Sequence, residues 1–401
     1  MEIDNEWAAR AAELLPTGAS TGSKRPEALY GTTDPAGPTH FVRAAGCRVE
    51  TADGAELIDC TMALGAVAIG YAEPAITQAA VDAIAQGAVS GLSHVLEVEL
   101  AERFCNVVPC AERVQFVKTG AEAMSAAVRI ARAYTGRNVV IGSGYFGWHD
   151  WSSSAAGVPD GVRRDFRAVP FDDVAALERA AGDAGSQLAA IAIEPVVERM
   201  PSEAWIARAR ALCDATGAAL IFDEMKTGFR LATGGFQQMS GVTPDLSAFG
   251  KALANGFPLA AVCGRAPLME SLKKTWISST LASEGGALAA ALAVLDWHEQ
   301  ADVCAELARI GVEMRERFSN ALKASGLDGI SVHGIDPMWF AKFDSPDAER
   351  RFISLAAEHG ALFKRGAYNF AALAHDEDAL VEMEAAASNA FVAMRQEQEP
   401  A

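Results

Sequence analysis

A regular alternation constrains this chain more than any other feature: short apolar runs, each stopped by a polar or glycine-bearing turn, are separated by stretches with helical spacing. Val114–Val117, Asn138–Ile141, Leu188–Ile193 and Ala218–Phe222 are such runs. They are too short for helices and apolar enough to be buried strands. Around them, Ala75–Gln86, Val95–Val107 and Glu122–Tyr134 repeat at helical intervals. Leu96, Leu100 and Phe104 recur at i, i+4 and i+8, and Met124, Ala127, Val128 and Ala131 share a face. The alternation predicts an α/β fold with a mainly parallel sheet flanked by helices.

A chain of 401 residues exceeds what one core usually organises, so two domains are expected. From about Ala301 the pattern changes. A long amphipathic helix, roughly Val303–Ala324, leads into short strands around Ile330–Phe343 and Asn369–Ala374, with helices near Ala348–His359 and Glu377–Met394. We read residues 66–300 as the large domain and 301–401 as a smaller α+β domain. Residues 1–65 form an N-terminal segment that we count with the small domain. Within that segment Glu6–Leu15 suits a short helix, and residues 40–60 alternate around Asp53-Gly54 as a hairpin does.

Charge and composition exclude several roles. The net charge of -18 argues against nucleic acid as a partner, because phosphate contacts need a basic surface. The longest apolar runs, Leu64–Ala72 and Ala287–Leu295, are too short to cross a bilayer. The acidic start Met1–Trp7 has the character of neither a signal nor a transit peptide. Seven cysteines without paired spacing fit reduced thiols in a cytoplasmic protein. Seven histidines with no His-x-x-x-His pair suggest no metal site.

The chemistry concentrates between Ala218 and Pro258. The apolar run ending at Phe222 breaks into Asp223-Glu224, then Thr227-Gly228-Phe229-Arg230. An extended segment, Pro244–Phe249, then ends in Gly250-Lys251. An acid and a lysine held at separate points of one crevice suit a Schiff-base cofactor such as pyridoxal phosphate. The lysine forms the imine, and the carboxylate keeps the pyridine nitrogen protonated.

Neighbouring stretches agree on the same ligand. Strand, Thr119-Gly120-Ala121-Glu122, helix is a geometry that turns free N–H groups towards an anion. Gly142-Ser143-Gly144-Tyr145-Phe146-Gly147 spells a G-x-G-x-x-G, but the aromatic, polar stretch Trp148–Ser154 follows where a dinucleotide site needs a helix. What remains is Tyr145, an aromatic at a strand end able to stack on a flat ring. Glu194, stopped by Pro195, is another acid at a strand end; it suits either the ligand crevice or a structural ion pair. The turn-rich stretch Pro16–Pro26 carries Thr21, Lys24 and Arg25, and is either an anion contact or a solvated loop.

These segments resemble the class III, fold type I pyridoxal-phosphate aminotransferases, nearest to the glutamate-1-semialdehyde aminomutase-like branch. The resemblance spans nearly the whole chain. It is carried by LIDCTMALGAVAIGYAEP, VQFVKTGAEAMSAAVRIARAYTGR, IAIEPV, LIFDEMKTGFR, SAFGKALANGFPLAA and ISSTLASEGGALAAALAVL. It implies that Lys251 binds the cofactor as an imine and moves the proton, and that Asp223 pairs with the ring nitrogen. Met225 and Tyr145 would cover opposite ring faces, Gly120 and Ala121 would hold the phosphate, and Glu194 would lie near the phenolic side. Thr280 would reach the cofactor of a second subunit, so the active unit would be a homodimer with shared sites. Substrate contacts would come from Thr21, Lys24, Arg25 and Trp148, with Trp151 also lining the entrance.

The reaction implied is transfer of an amino group between an amino donor and a small carbonyl acceptor. A 2,1-aminomutase uses the same residues, and a silent relative acting as a binding partner is a third reading. The chain departs from the family in three places. Phe146 stands where a histidine is usual, so any polar role of that histidine is absent or moved to His149. Glu284 replaces an asparagine common in the aminomutases. Lys24 and Arg25 stand where an arginine grips the substrate carboxylate, and a lysine lacks that bidentate grip. Poor activity on glutamate-1-semialdehyde is therefore expected, and better activity on another amino or keto acid.

Overall fold

The computed structural model describes residues 5–33 and 37–398, which fall into two compact units, Met1–Glu73 with Ala305–Ala401, and Pro74–Cys304. The unit boundaries lie at Glu73/Pro74 and Cys304/Ala305, a few residues beyond the 65/66 and 300/301 divisions expected from the sequence. No helix among the described residues is long and apolar enough to cross a membrane.

The first unit holds two small sheets. Strands β1 (Phe41–Ala45), β2 (Arg48–Thr51) and β3 (Glu56–Asp59) form an antiparallel meander, and its β2–β3 turn carries Asp53-Gly54. In the second sheet β11 (Ile330–Ile335) and β12 (Met338–Phe343) form a hairpin joined by β14 (Asn369–Phe370), while β13 (Ala361–Leu362) extends the meander in parallel with β3. The strand expected over Asn369–Ala374 stops at Phe370. Beyond it, Leu373 and Ala374 donate instead to the carbonyls of Ala68 and Ile69.

After β3 the chain takes a strained course. Met62, Ala63 and Leu64 all lie in the left-handed region, with φ of 44°, 50° and 60°, each costing roughly 1–2 kcal/mol. Asp59 holds the turn: its Oδ1 accepts the N–H of Thr61 at 2.7 Å, the Thr61 hydroxyl at 2.6 Å and the N–H of Met62 at 3.2 Å. Its Oδ2 accepts the Tyr71 hydroxyl at 2.6 Å.

The second unit is built on a seven-stranded sheet: β4 (Arg113–Val117), β5 (Val139–Ser143), β6 (Phe166–Ala168), β7 (Leu188–Ile193), β8 (Ala219–Asp223), β9 (Leu246–Phe249) and β10 (Ala260–Gly264). Their order is β4-β10-β9-β8-β7-β5-β6. Only β10 runs against its neighbours. The sequence pattern had not singled out β6 or β10; each is flanked by turn residues and shows no period of its own. The helix Gly120–Thr135 buries Ala123, Met124, Ala127, Val128, Ile130 and Ala131 against the sheet. Thr119 and Glu122 close its start as a capping box, and Gly136 ends it with a φ of 68°.

Register decides where the chemistry lies. Val117 pairs with Ala260, Ala261 with Phe249, Asp223 with Ala248, Phe222 with Ile193, and Ile193 with Ser143. The residues that follow β4, β5, β7 and β9, together with the last residue of β8, therefore emerge at one end of the sheet.

Candidate active site

At that end stand Gly120 after β4, Gly144 and Tyr145 after β5, Glu194 after β7, Asp223 at the end of β8 and Gly250-Lys251 after β9. In open α/β sheets this is the end where ligands bind.

The glycines bring these loops together. A Cβ placed on Gly120 or on Gly250 would stand 2.8 Å from the Met225 sulfur. Met225 thus lies against both the helix start and the lysine turn, and a side chain at either position would displace it. The G-x-G-x-x-G glycines serve packing as well. Gly142 lies against the Phe166 ring, Gly144 (φ 136°) against the Glu194 side chain, and Gly147 (φ 90°) would place a Cβ 2.5 Å from that of Ala121. The motif draws the Tyr145 loop onto the cradle and the acid, which no dinucleotide is needed to explain.

The first-turn amides divide cleanly. Glu122 Oε2 accepts the N–H groups of Lys118 at 2.9 Å and Thr119 at 2.8 Å, while Thr119 Oγ1 accepts that of Glu122 at 3.2 Å. The N–H groups of Gly120 and Ala121 are the ones that the helix cannot satisfy itself.

Lys251 has φ 50°, a left-handed conformation uncommon for a side-chain-bearing residue. Burial lowers its ammonium from 10.5 to about 8, and the nearby Lys226 charge pushes the same way. Asp223 is buried, and among the described residues its carboxylate accepts only the Met225 N–H, at 3.0 Å. Burial and the negative charge of Glu194 push it up to about 7. Burial drives the two groups towards neutrality from opposite sides, against their mutual attraction, which makes the pair a candidate for a functional site.

Glu194 accepts the Tyr145 N–H at 3.0 Å and pairs with Lys226 at 2.6 Å. No role beside Glu194 was expected of Lys226, although its place three residues after Asp223 is a signal that could have suggested one. Arg230 is buried, and desolvation lowers its guanidinium to about 10. Tyr145 and Trp148 are exposed, at 72% and 73%, while Thr280 is exposed in the turn before the helix Gly285–Gln300. Trp151 corrects an expectation: it is buried, its ring stacked 5.6 Å from Phe146 and edge-on to Phe166 at 5.4 Å. It is core rather than entrance. Phe146, standing in for the usual histidine, is buried in the same cluster. His149 meets Ser125 at 2.7 Å.

Thr21, Lys24 and Arg25 belong to the first unit. Thr21 and Lys24 are exposed, and Lys24 lines a cavity of about 410 Å³ with Phe41, Leu64, Tyr71 and Lys364. Arg25 precedes the helix Pro26–Tyr30, and its Nε is buried without a hydrogen-bond partner among the described residues.

Comparison with known proteins agrees with this geometry. The family model for class-III aminotransferases matches residues 32–374. The 2'-deamino-2'-hydroxyneamine transaminase of Streptomyces kanamyceticus is 35% identical over 363 residues, covering 88% of this chain and 90% of that protein. A glutamate-1-semialdehyde 2,1-aminomutase of Ignicoccus hospitalis is 33% identical over 381 residues, covering 85% and 89%. The PLP internal aldimine form of the FumI protein of Sphingopyxis sp. MTA144 superposes with a TM-score of 0.92 at 26% identity, over 98% of this chain and 96% of that one. This chain belongs to the class-III aminotransferase family.

Proposed function

We propose that the protein is a pyridoxal-phosphate aminotransferase moving an amino group between an amino donor and a small keto-acid or aldehyde acceptor, with Lys251 and Asp223 as its working pair. The observation that carries this reading is the buried, donor-poor Asp223, pushed up to about 7, beside a lysine lowered to about 8. Membership of the class-III aminotransferase family supports it.

The residues present fit the cofactor. Lys251 and Lys226 act on Asp223 from a distance, but among the described residues no cation pairs with it directly, and a protonated pyridine nitrogen would. Gly120 and Ala121 offer amides to a phosphate. The glycines at 120, 144, 147 and 250 let backbone approach where side chains would intrude. When bound, pyridoxal phosphate supplies an aldehyde that captures amines and a cationic ring that accepts the electron pair of a breaking C–H bond.

The remaining roles follow from the protein's own groups. Lys251 attaches the cofactor, and its lowered pKa keeps a useful fraction of Nζ neutral as the base that takes and returns a proton at the substrate carbon. Asp223 keeps the proton on the ring nitrogen, a charge-assisted hydrogen bond worth roughly 1.5–3 kcal/mol. With the cofactor bound, Tyr145 and Met225 would cover its ring, and Glu194, paired with Lys226, would stand towards the phenolic side. Lys24 and Arg25 offer positive charge to a substrate carboxylate, and Trp148 an apolar surface to its body.

A homodimer, in which Thr280 serves the partner's cofactor, completes the proposal. In support, Val81 and Ile84, Val89, Leu92, Val95 and Val98, and Leu281 leave large apolar side chains exposed on the second unit.

Borohydride reduction of the holoenzyme followed by peptide mass mapping tests the core of this reading. An adduct on Lys251 is expected; an adduct on Lys226 or elsewhere defeats it. Adding a panel of amines while watching the cofactor spectrum then identifies the donor. Efficient conversion of glutamate-1-semialdehyde without any donor replaces the aminotransferase reading by the aminomutase one. Sedimentation showing an active monomer removes the shared site.

A further inference from the structure

Glu284, the residue at the aminomutases' asparagine position, has three partners for its side chain. It precedes the helix Gly285–Gln300, where its Oε1 accepts the Gly286 N–H at 2.7 Å and its Oε2 the Ala287 N–H at 3.1 Å. The same Oε2 receives Lys118 Nζ at 3.3 Å, with the two side chains only 14% and 21% exposed. Lys118 stands two residues before Gly120, and its own backbone N–H is fixed by Glu122. At the other end of the same segment, Arg129 on the helix Gly120–Thr135 donates to the Trp276 carbonyl at 2.7 Å. The irregular stretch between Trp276 and Glu284, with exposed Thr280 inside it, is therefore tied at both ends to the cradle and its helix.

We propose that Lys118 and Glu284, with Arg129 as the second tie, are positioning residues that hold the Thr280-bearing segment at a fixed offset from the Gly120 turn. The inference rests on the cofactor reading above. A stretch without regular structure loses conformational freedom when it engages a ligand, and ordering it beforehand removes that cost from binding. The ion pair is shielded enough from solvent to escape much of the screening that makes exposed pairs weak. If Thr280 serves the partner's site, the clamp also joins one subunit's own cradle to the element that it lends to the other.

A simpler role is excluded by sign. If Lys118 merely adds positive charge near a phosphate, removing Glu284 unmasks that charge and tightens binding. A clamp predicts that losing either partner weakens it.

The test titrates full-length apoprotein with pyridoxal 5'-phosphate by equilibrium dialysis, using Lys118→Met, Glu284→Gln and the double variant. Glu284→Gln keeps a side-chain oxygen for the helix cap. Each single change should weaken binding about five- to tenfold, and the double variant no further, because the second change removes a tie already broken. Lys118→Arg, which keeps the pair, should stay within about twofold of the wild type.

Pyridoxal, which lacks the phosphate, should bind the wild type and all variants alike. Tighter binding in Glu284→Gln, full additivity in the double variant, or an equal loss towards pyridoxal overturns the clamp. Should Lys118→Met not fold, Glu284→Gln measured against both ligands decides alone. If the wild type binds no pyridoxal phosphate, the cofactor reading itself falls and takes the clamp with it. If the wild type binds and the variants match it, only the clamp falls.

Discussion

Two buried aspartates stand at opposite ends of one sheet, and their surroundings differ. Asp245, just before β9, is paired with Arg210 and Arg265, both at 2.9 Å, and accepts the Leu220 N–H at 2.8 Å. Asp223, at the far end of β8, accepts a single N–H among the described residues and has been pushed up to about 7. Glu224 sharpens the contrast one residue away. It is wholly buried, yet it accepts the Thr227 hydroxyl, the N–H groups of Phe236 at 2.8 Å and Gln237 at 3.1 Å, and the Gln237 side chain at 3.3 Å.

Burial alone therefore does not identify a working acid. Asp245 and Glu224 are supplied with donors by the fold, and Asp223, left short of them, is the candidate for contact with a ligand. Lys251 shows the same with the opposite sign: burial and the Lys226 charge lower its ammonium although Asp223 and Glu194 act the other way.

The largest expected effect lies on the donor-poor side. Lys251→Ala should lower turnover by at least about three orders of magnitude, measured as steady-state rate with the cofactor in excess. Turnover near the wild-type value would remove the distinction at its root.

Asparagine at each aspartate gives the direct comparison. Asp223→Asn should cost about one to two orders of magnitude in rate, at roughly 1.4 kcal/mol per decade, with no loss of apoprotein stability. Asp245→Asn should do the reverse. It strips charge from a site built around two arginines and should cost on the order of 3 kcal/mol of folding stability. Denaturant midpoints and rates per folded enzyme separate the two, and a slow but stable Asp245→Asn enzyme would contradict the contrast.

The pH dependence of the apoprotein is a gentler probe. Between the ordinary 3.8 of an aspartate and about 7, the folded state holds a proton on Asp223 that the unfolded chain has lost. Its contribution to stability therefore falls as pH rises through that window. Between about 8 and 10.5 the unfolded chain holds a proton that folded Lys251 lacks, so that contribution rises with pH. Thermal melts of apoprotein across pH 4–10 should show the first slope flattened in Asp223→Asn and the second in Lys251→Met. An unchanged profile in both would mean that the burial does not perturb these groups.

The smallest effect belongs to the exposed cation. Lys24→Ala should raise KM for dicarboxylic acceptors about three- to fivefold, with neutral acceptors unaffected, as suits an exposed charge pair. A loss as large as that of Asp223→Asn would place Lys24 among the buried working groups instead.

Much of the fold was legible because it rests on local periodicity. The run Leu188–Ile193 and the helix Val95–Val107 were readable to the residue, since their apolar spacing is the cause of their burial. The seven-stranded order was not legible, nor were β6 and β10, because pairing between distant segments leaves no trace in local spacing. Asp223 and Lys251 were expected at one crevice from their positions at the ends of consecutive extended runs, and the fold brings both to the same end of the sheet. Trp151 was misread as an entrance residue, because sequence shows that an aromatic follows a turn and not which way its ring packs.

By itself, then, the sequence determined the strands, the helices, the glycine-marked turns and the chemical types available at each strand end, all set by interactions within a few residues. Only the tertiary structure decided which charges are compensated. Asp223, Glu224 and Asp245 are alike as acids beside apolar runs, and what separates them is whether Phe236, Gln237, Arg210 and Arg265 arrive with donors. Those donors come from residues 12 to 35 positions away or from another element altogether. A carboxylate's proton affinity follows the charges and water around it, and that surrounding exists only once the chain has folded.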